Sequence, residues 1–465
     1  MGEITGKASI AVVGGGITGI AAALQLAESG KFQVTLFEKE DHLGGLNSFF
    51  RWDHLICDRF YHIILPGDSY LLGFIKALGI EGNIFWRKAN TGFFADQKLV
   101  PLSSLFDFIR FPFLSFTQKI RLGLGVVYIA RLKSLSRLDQ VYAPQWLSRV
   151  FGKKIYDKIW EPLLRGKLGE ATSRTSAAFM WATIRRLYGA RNSINKQEKL
   201  GYLHGGLHGL VGAARKKLED KNVLILTAEP VLEIRQANGE DIKTADAGAK
   251  TKLRTRSGWR QFDKVLLTMP APEILKIIGT GDHPYWKTLQ SVEYLGVVSL
   301  LIIASRRLSP FYVINLLEQE FPFTGIVETT NIIAPKEFQG KHLIYLPKYV
   351  TGNDPFMDLG EGEISRLFIE KLKTVFPRLT EADILQHKVF YEKYVQPIQK
   401  PHFLANRIAP ITPLQGVYLA NTAMIHDTLH NNNANLKLVQ DVVDGIMRNR
   451  RNDSARIVSA KEQRR

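Results

Sequence analysis

Ser9-Ile-Ala-Val-Val-Gly14-Gly15-Gly16-Ile17-Thr18-Gly19-Ile-Ala-Ala-Ala-Leu-Gln-Leu stands near the start of the 465-residue chain. An apolar, β-branched run ends in glycines, and an Ala/Leu-rich pattern follows at once. The stretch predicts strand, tight turn and helix. Gly14, Gly16 and Gly19 fit G-x-G-x-x-G. The first glycine permits the turn, the second lets the backbone approach a pyrophosphate, and the third lets helix and strand pack closely. Ile17 and Thr18 open the helix, whose N-terminus offers free N–H groups to phosphates. A second strand, Gln33 to Glu38, ends on the acid that bonds ribose hydroxyls in such units. The pattern predicts a dinucleotide site.

The chain runs on through Glu38-Lys39-Glu40-Asp41-His42-Leu43-Gly44-Gly45-Leu46. The glycine pair beyond the acid resembles the "E…GG" extension of FAD-binding flavoproteins. On these residues the chain resembles the superfamily of amine oxidases, phytoene desaturases and protoporphyrinogen oxidases. UDP-galactopyranose mutase is a more distant relative with a similar start. The resemblance implies FAD as cofactor, with Lys39, Gly44, Gly45 and Leu46 among its contacts. Leu46-Asn47-Ser48 stands where the family usually has Arg after the glycines.

Later segments extend the resemblance. Asp58 matches the acid of a "D.G" turn whose next residues lie over the flavin, which implies that Tyr61 and His62 face the isoalloxazine. The run Gly205-Gly206-Leu-His-Gly209 into Val231 resembles the family's return to the FAD domain, with Val231 at the adenine. Gly416 to Leu436 resembles the closing FAD segment, with Asn421, Asn433 and Ala434 at the cofactor and the final helix aimed at the flavin pyrimidine. No cysteine lies there, so FAD is expected to be non-covalent. Lys348 follows a strand that could end at the flavin and is the candidate for a flavin-side lysine. Trp160 to Glu170 resembles the segment leading to the substrate cavity, where Arg165 and Lys167 could hold an anionic group.

Composition sets bounds. A chain this long with 45% apolar residues can bury two cores. Its single cysteine, Cys57, excludes an internal disulfide and suits a reducing compartment. The strand pattern begins too early to leave room for a signal peptide, so a cytoplasmic protein is expected. The net charge of +18 implies an anionic partner. Part of it sits from Arg448 to Arg465, where seven Lys/Arg face two acids. Between Leu102 and Arg137, six Lys/Arg accompany one acid in a stretch dense in aromatics. That stretch reads either as a helical cap with its charges outward or as helices lying on an anionic membrane, and the two are compatible. Nucleic-acid binding would need basic residues and aromatics clustered on one module, which only this stretch approaches. No Cys/His cluster has metal spacing.

The expected fold is α/β: a doubly wound, Rossmann-type FAD domain with an inserted α+β substrate domain. Residues 1–95, 200–275 and 408–450 are assigned to the FAD domain, 96–199 and 276–407 to the substrate domain, and 451–465 to a basic tail. The expected function is hydride transfer from a small molecule that is apolar, lipid-linked or carries an anionic group, to flavin N5. A mutase-like enzyme without net redox change is the alternative. A protein that keeps FAD structurally is a third reading.

Overall fold

The computed structural model describes residues 7–132, 135–189, 199–236, 251–279, 281–318, 320–426 and 428–448. The basic tail, 451–465, and residues 237–250 lie outside them.

Five parallel strands form the sheet beneath the glycine turn. Their order is Val417–Leu419, Lys264–Leu267, Ala8–Val13, Phe32–Phe37, Leu224–Leu226. Ile10 to Val13 and Val265 to Leu267 are buried throughout. Such unbroken apolar runs belong to parallel strands covered on both faces. Helix Ile17–Glu28 packs against helices Gly206–Asp220 and Asn432–Arg448, and all three share one core with the sheet. This is the expected Rossmann-type α/β layer.

A seven-stranded mixed sheet forms the second layer, in the order Ile384–Pro397, Tyr294–Ala304, His342–Val350, Gly325–Glu328, Val313–Leu316, Thr91–Ala95, Lys98–Pro101. Tyr294–Ala304 is buried at all eleven positions. Its side chains alternate between two cores. Val298, Leu300 and Ile302 meet Leu346, Val350 and Phe368 of helix Glu361–Val375. Leu301 and Ile303 meet Tyr345, Cys57, Leu65 and Tyr202 on the other face. A third unit, made of helices between Leu105 and Gly189, has its own core around Trp146, Phe151 and Phe179.

Two crossings differ from the sequence reading. Thr91–Ala95, assigned to the cofactor domain, is a strand of the mixed sheet and pairs in parallel with Val313–Leu316. Residues 276–293, assigned to the substrate domain, stay with the first layer, since Ile277, Trp286 and Leu289 join its core. Neither crossing carries a glycine or proline signal strong enough to mark it. The cap reading of helix Phe116–Arg131 also needs amendment. The helix buries only Gly125 and Ile129 along its length, and apolar side chains as well as charges point outward.

Candidate cofactor and substrate site

The glycine turn is built by exclusion. A Cβ at position 19 would lie 1.8 Å from the Gly14 carbonyl oxygen, and one at position 14 would lie 2.7 Å from Thr268 Oγ1. Thr268 Oγ1 sits close to the Val13 and Gly14 carbonyls, 2.9 and 3.1 Å away, and clamps the turn. Gly16 differs: a Cβ there would meet nothing within 4 Å, and its φ of −71° suits any residue. The turn therefore leaves open space at the one glycine where a pyrophosphate would approach the backbone. Gly44 and Gly45 come up beside it. The Gly44 N–H donates to the Gly15 carbonyl at 2.9 Å, and a Cβ at 45 would lie 3.2 Å from Gly16 Cα. Both glycines have positive φ, 130° and 57°.

Glu38 is buried at the strand end. Its Oε2 accepts from Gly15 N–H at 2.6 Å and its Oε1 from Glu40 N–H at 2.9 Å. Each carboxylate oxygen keeps a second lone pair for a ribose hydroxyl. Ile17, Thr18 and Val231 are buried in the same layer, Leu46 is half-buried, and Ala434 sits at the start of the final helix. The Lys39 side chain turns to solvent, 63% exposed, with Nζ 3.8 Å from Glu40 Oε1.

Across the site the hairpin Phe49–Trp52/Leu55–Asp58 delivers Asp58. Its carboxylate is buried and accepts from the Tyr202 hydroxyl and from the Leu207 N–H. Burial raises its pKa to about 6, against the pull of those donors. The Tyr345 hydroxyl donates to the Asp58 carbonyl at 2.7 Å. Tyr61 follows, with its hydroxyl 3.4 Å from that of Tyr349. His62 Nδ1 lies 2.9 Å from the Phe60 carbonyl, which sets Nδ1 as the donor and leaves Nε2 as an acceptor. Burial holds the ring below its ordinary pKa, and the Phe60 carbonyl opposes this. His62, Ile64, Tyr202, Gly206 and Asn432 line one cavity. Tyr61 lies outside the lining of that cavity, with its ring centre 6.1 Å from that of Tyr345.

Lys348 does not join them. Side chains alternate along His342–Val350, and Tyr345 and Tyr349 take the site face. Lys348 takes the opposite face, with Nζ 4.2 Å from the centre of the Phe356 ring. Asn433 is also redirected. Its Oδ1 accepts from the N–H groups of Tyr70 and Leu71 and so caps helix Ser69–Ala77. Asn421 folds its own turn, accepting from Ala423 N–H and donating to the Met269 carbonyl. Sequence reading missed Tyr202 and Tyr345 because each reaches Asp58 across more than a hundred residues.

The sequence matches the family model for flavin containing amine oxidoreductases over residues 17–430. The chain belongs to this family. FAD is the family's cofactor, and the protein is an FAD-dependent oxidoreductase. The chain is 22% identical to zeta-carotene desaturase of Synechocystis sp. over 89% of its length and 92% of the relative's. It is 25% identical to mitochondrial protoporphyrinogen oxidase of Nicotiana tabacum, but that match spans 64% of this chain and 65% of the tobacco protein. Among solved structures, a candidate protoporphyrinogen oxidase from Exiguobacterium sp. 255-15 superimposes with a TM-score of 0.73 at 18% identity, covering 95% of this chain and 99% of its own. Reduced UDP-galactopyranose mutase gives 0.70 at 17%, covering 95% and 96%. These likenesses show a shared fold. The open Gly16, the ring of glycines and buried Glu38 fit FAD. Among the described residues, no helix is long and apolar enough to cross a membrane.

Proposed function

We propose that this flavin containing amine oxidoreductase oxidises or desaturates an apolar small molecule held against the aromatic wall of Phe60, Tyr61, Tyr345 and Tyr349. The observation that carries the reading is the set of aromatic side chains itself, with the Tyr61 and Tyr345 ring centres 6.1 Å apart and the Tyr61 and Tyr349 hydroxyls 3.4 Å apart. Arg59, the cation nearest in sequence, donates to Ser48 Oγ at 3.1 Å and stands over the Phe60 and Phe390 rings, with its Nε buried and unpaired. A nucleotide-sugar diphosphate, as the mutase reading requires, would need more than one such cation on the wall. When bound, FAD supplies the two-electron acceptor for a hydride leaving a substrate carbon. The chain's part is to orient that carbon with the tyrosine rings, exclude water, and offer His62 Nε2 as a proton acceptor. Glu38, Gly14, Gly16, Gly19, Gly44 and Gly45 would hold the cofactor, with Ile17, Thr18, Leu46, Val231, Asn421 and Ala434 around it.

An apolar substrate lives in membranes, and the surface supports delivery from one. Phe116, Ile120, Leu124 and Tyr128 are spaced by four on helix Phe116–Arg131, and all are exposed, Phe116 by 74%. Phe106 and Ile109 of helix Leu105–Arg110 are also exposed. Arg110, Lys119, Arg121 and Arg131 interleave with these apolar residues in the sequence. We assign this face to an anionic bilayer surface.

Mass spectrometry of small molecules co-purified with the protein tests the catalytic reading. The expected finding is an apolar molecule that bleaches the bound flavin without oxygen. A UDP-sugar in its place would overturn the reading for the mutase one.

A further inference from the structure

We propose that the groove between helices Phe116–Arg131 and Ala143–Phe151 seats one acyl chain of an anionic lipid. The proposal rests on the bilayer face assigned above and names what that face holds. The groove has a volume of about 420 Å³, walled by exposed Ile120, Leu124 and Tyr128 of one helix and by Val150 of the other. Gly125 adds bare backbone at its floor. A Cβ there would lie 2.4 Å from the buried Phe151 ring, so the missing side chain lets the two helices approach and closes the groove from below.

The dimensions suit an alkyl chain. The lining from Thr117 to Tyr128 follows about 16 Å of helix axis. The acyl layer of one leaflet is about 15 Å deep, half of the bilayer's hydrocarbon core. Ile120, Leu124 and Tyr128 recur every four residues and so form one ridge along the helix. A flexible alkyl chain can follow that ridge over its whole length.

The charges select the headgroup. Arg121 lines the groove, and its guanidinium is pinned at the end of the neighbouring helix. Its Nε donates to the Val150 carbonyl at 3.2 Å and its Nη2 to the Arg149 carbonyl at 3.3 Å. A guanidinium has five N–H donors, so others remain for a phosphate oxygen. Arg149 and Lys154 flank Gly152, where a Cβ would lie 2.8 Å from Arg121 Nη1, and both are exposed. Lys119 meets a backbone carbonyl, that of Ile109, at 2.6 Å. Asp157 is already paired with Lys153 at 2.8 Å. The local field is positive, which matches a phosphate head on the apolar chain.

Calorimetric titration of the FAD-loaded enzyme with monomeric octyl, decyl and dodecyl phosphate reads the groove. Sedimentation with vesicles of phosphatidylglycerol and phosphatidylcholine reads the bilayer face. Alkyl phosphate should bind without changing the flavin absorption spectrum, tightening about four-fold per added methylene. Ile120→Asp should abolish this binding while FAD stays bound. Phe116 shares the apolar stripe but lies outside the groove lining, so Phe116→Asp should weaken sedimentation and leave alkyl phosphate binding intact. Arg121→Gln should cost about ten-fold in affinity and keep the chain-length step. Undiminished binding in Ile120→Asp overturns the groove and leaves the bilayer face standing, as does failure of alkyl phosphate to bind an enzyme that vesicles still sediment. No sedimentation with vesicles overturns the bilayer face and the groove with it, and a dimer that Ile120→Asp dissociates would then give the stripe to a second copy of the chain.

Discussion

Glu38 Oε2 accepts a hydrogen bond from the Gly15 N–H at 2.6 Å, so the ribose acid also holds the glycine turn in shape. Removing the carboxylate therefore weakens FAD binding twice, through a lost ribose contact and a loosened turn. Glu38→Ala should cost about 1.5–3 kcal/mol, roughly ten- to a hundred-fold in FAD affinity. Flavin fluorescence during titration of FAD into the deflavinated protein measures this. Unchanged affinity would remove Glu38 from the site.

Gly16 and Gly19 should fail in opposite ways. Gly16 has room for a side chain and an ordinary φ, so Gly16→Val should leave the apoprotein's urea midpoint nearly unchanged while blocking FAD uptake. At Gly19 a Cβ collides with the Gly14 backbone, so Gly19→Ala should lower the midpoint before any cofactor is added. If Gly16→Val binds FAD normally, the pyrophosphate does not cross that glycine.

Asp58 predicts a pH dependence. Its folded pKa, about 6, lies above the ordinary value of 3.8 because burial disfavours the charged form. Between those values the folded protein keeps a proton that the unfolded chain releases. Stability from this group therefore falls as pH rises through the window, by up to about 3 kcal/mol once both states are ionised. Asp58→Asn is neutral throughout and escapes the loss. The difference in urea midpoint between variant and parent apoprotein should move in the variant's favour from pH 4 to 7. A constant difference would show that Asp58 is not shifted.

The apolar stripe on helix Phe116–Arg131 should bind vesicles containing anionic lipid, and sedimentation should decline as salt screens the basic residues. Leu124 is 67% exposed, so Leu124→Asp should reduce binding without lowering stability by more than about 0.5 kcal/mol. Vesicle binding that ignores both salt and Leu124→Asp would assign the face another role.

What was legible in the sequence follows from range. The glycine turn, its strand and its helix depend on neighbours in the chain, and Gly14 to Glu38 announced the layer. The wall of the site depends on pairings between distant strands. Lys348 and Tyr349 are adjacent in sequence, yet a pleated strand sends them to opposite faces. Choosing between them needs the register with Tyr294–Ala304, where Val298 opposes Lys348 and Val297 opposes Tyr349. The Asn433 side chain shows the same dependence on range: helix Ser69–Ala77, which it caps, lies more than 350 residues away.

The same contrast bears on the electron source. An enzyme that takes electrons from a nicotinamide dinucleotide through a second Rossmann unit needs a second helix N-terminus free to hold a pyrophosphate. Gly205-Gly206 opens another glycine-led helix, and in the sequence Tyr202-Leu-His alone is too short to predict that a buried strand leads into it. A buried strand does: Lys199–Leu203 is covered at four of five positions. It pairs antiparallel with Ile84–Lys88, however, outside the parallel sheet. The helix end is also taken. Leu207 N–H donates to Asp58 Oδ1 at 3.0 Å, and a Cβ at Gly206 would lie 2.9 Å from that same carboxylate. An internal anion sits where a second pyrophosphate would bind. Mixing the anaerobic, FAD-loaded enzyme with NADH or NADPH should therefore reduce the flavin slowly and without saturation. Fast, saturable bleaching would place a nicotinamide site elsewhere and favour an enzyme primed by that cofactor, as the mutase reading would have it.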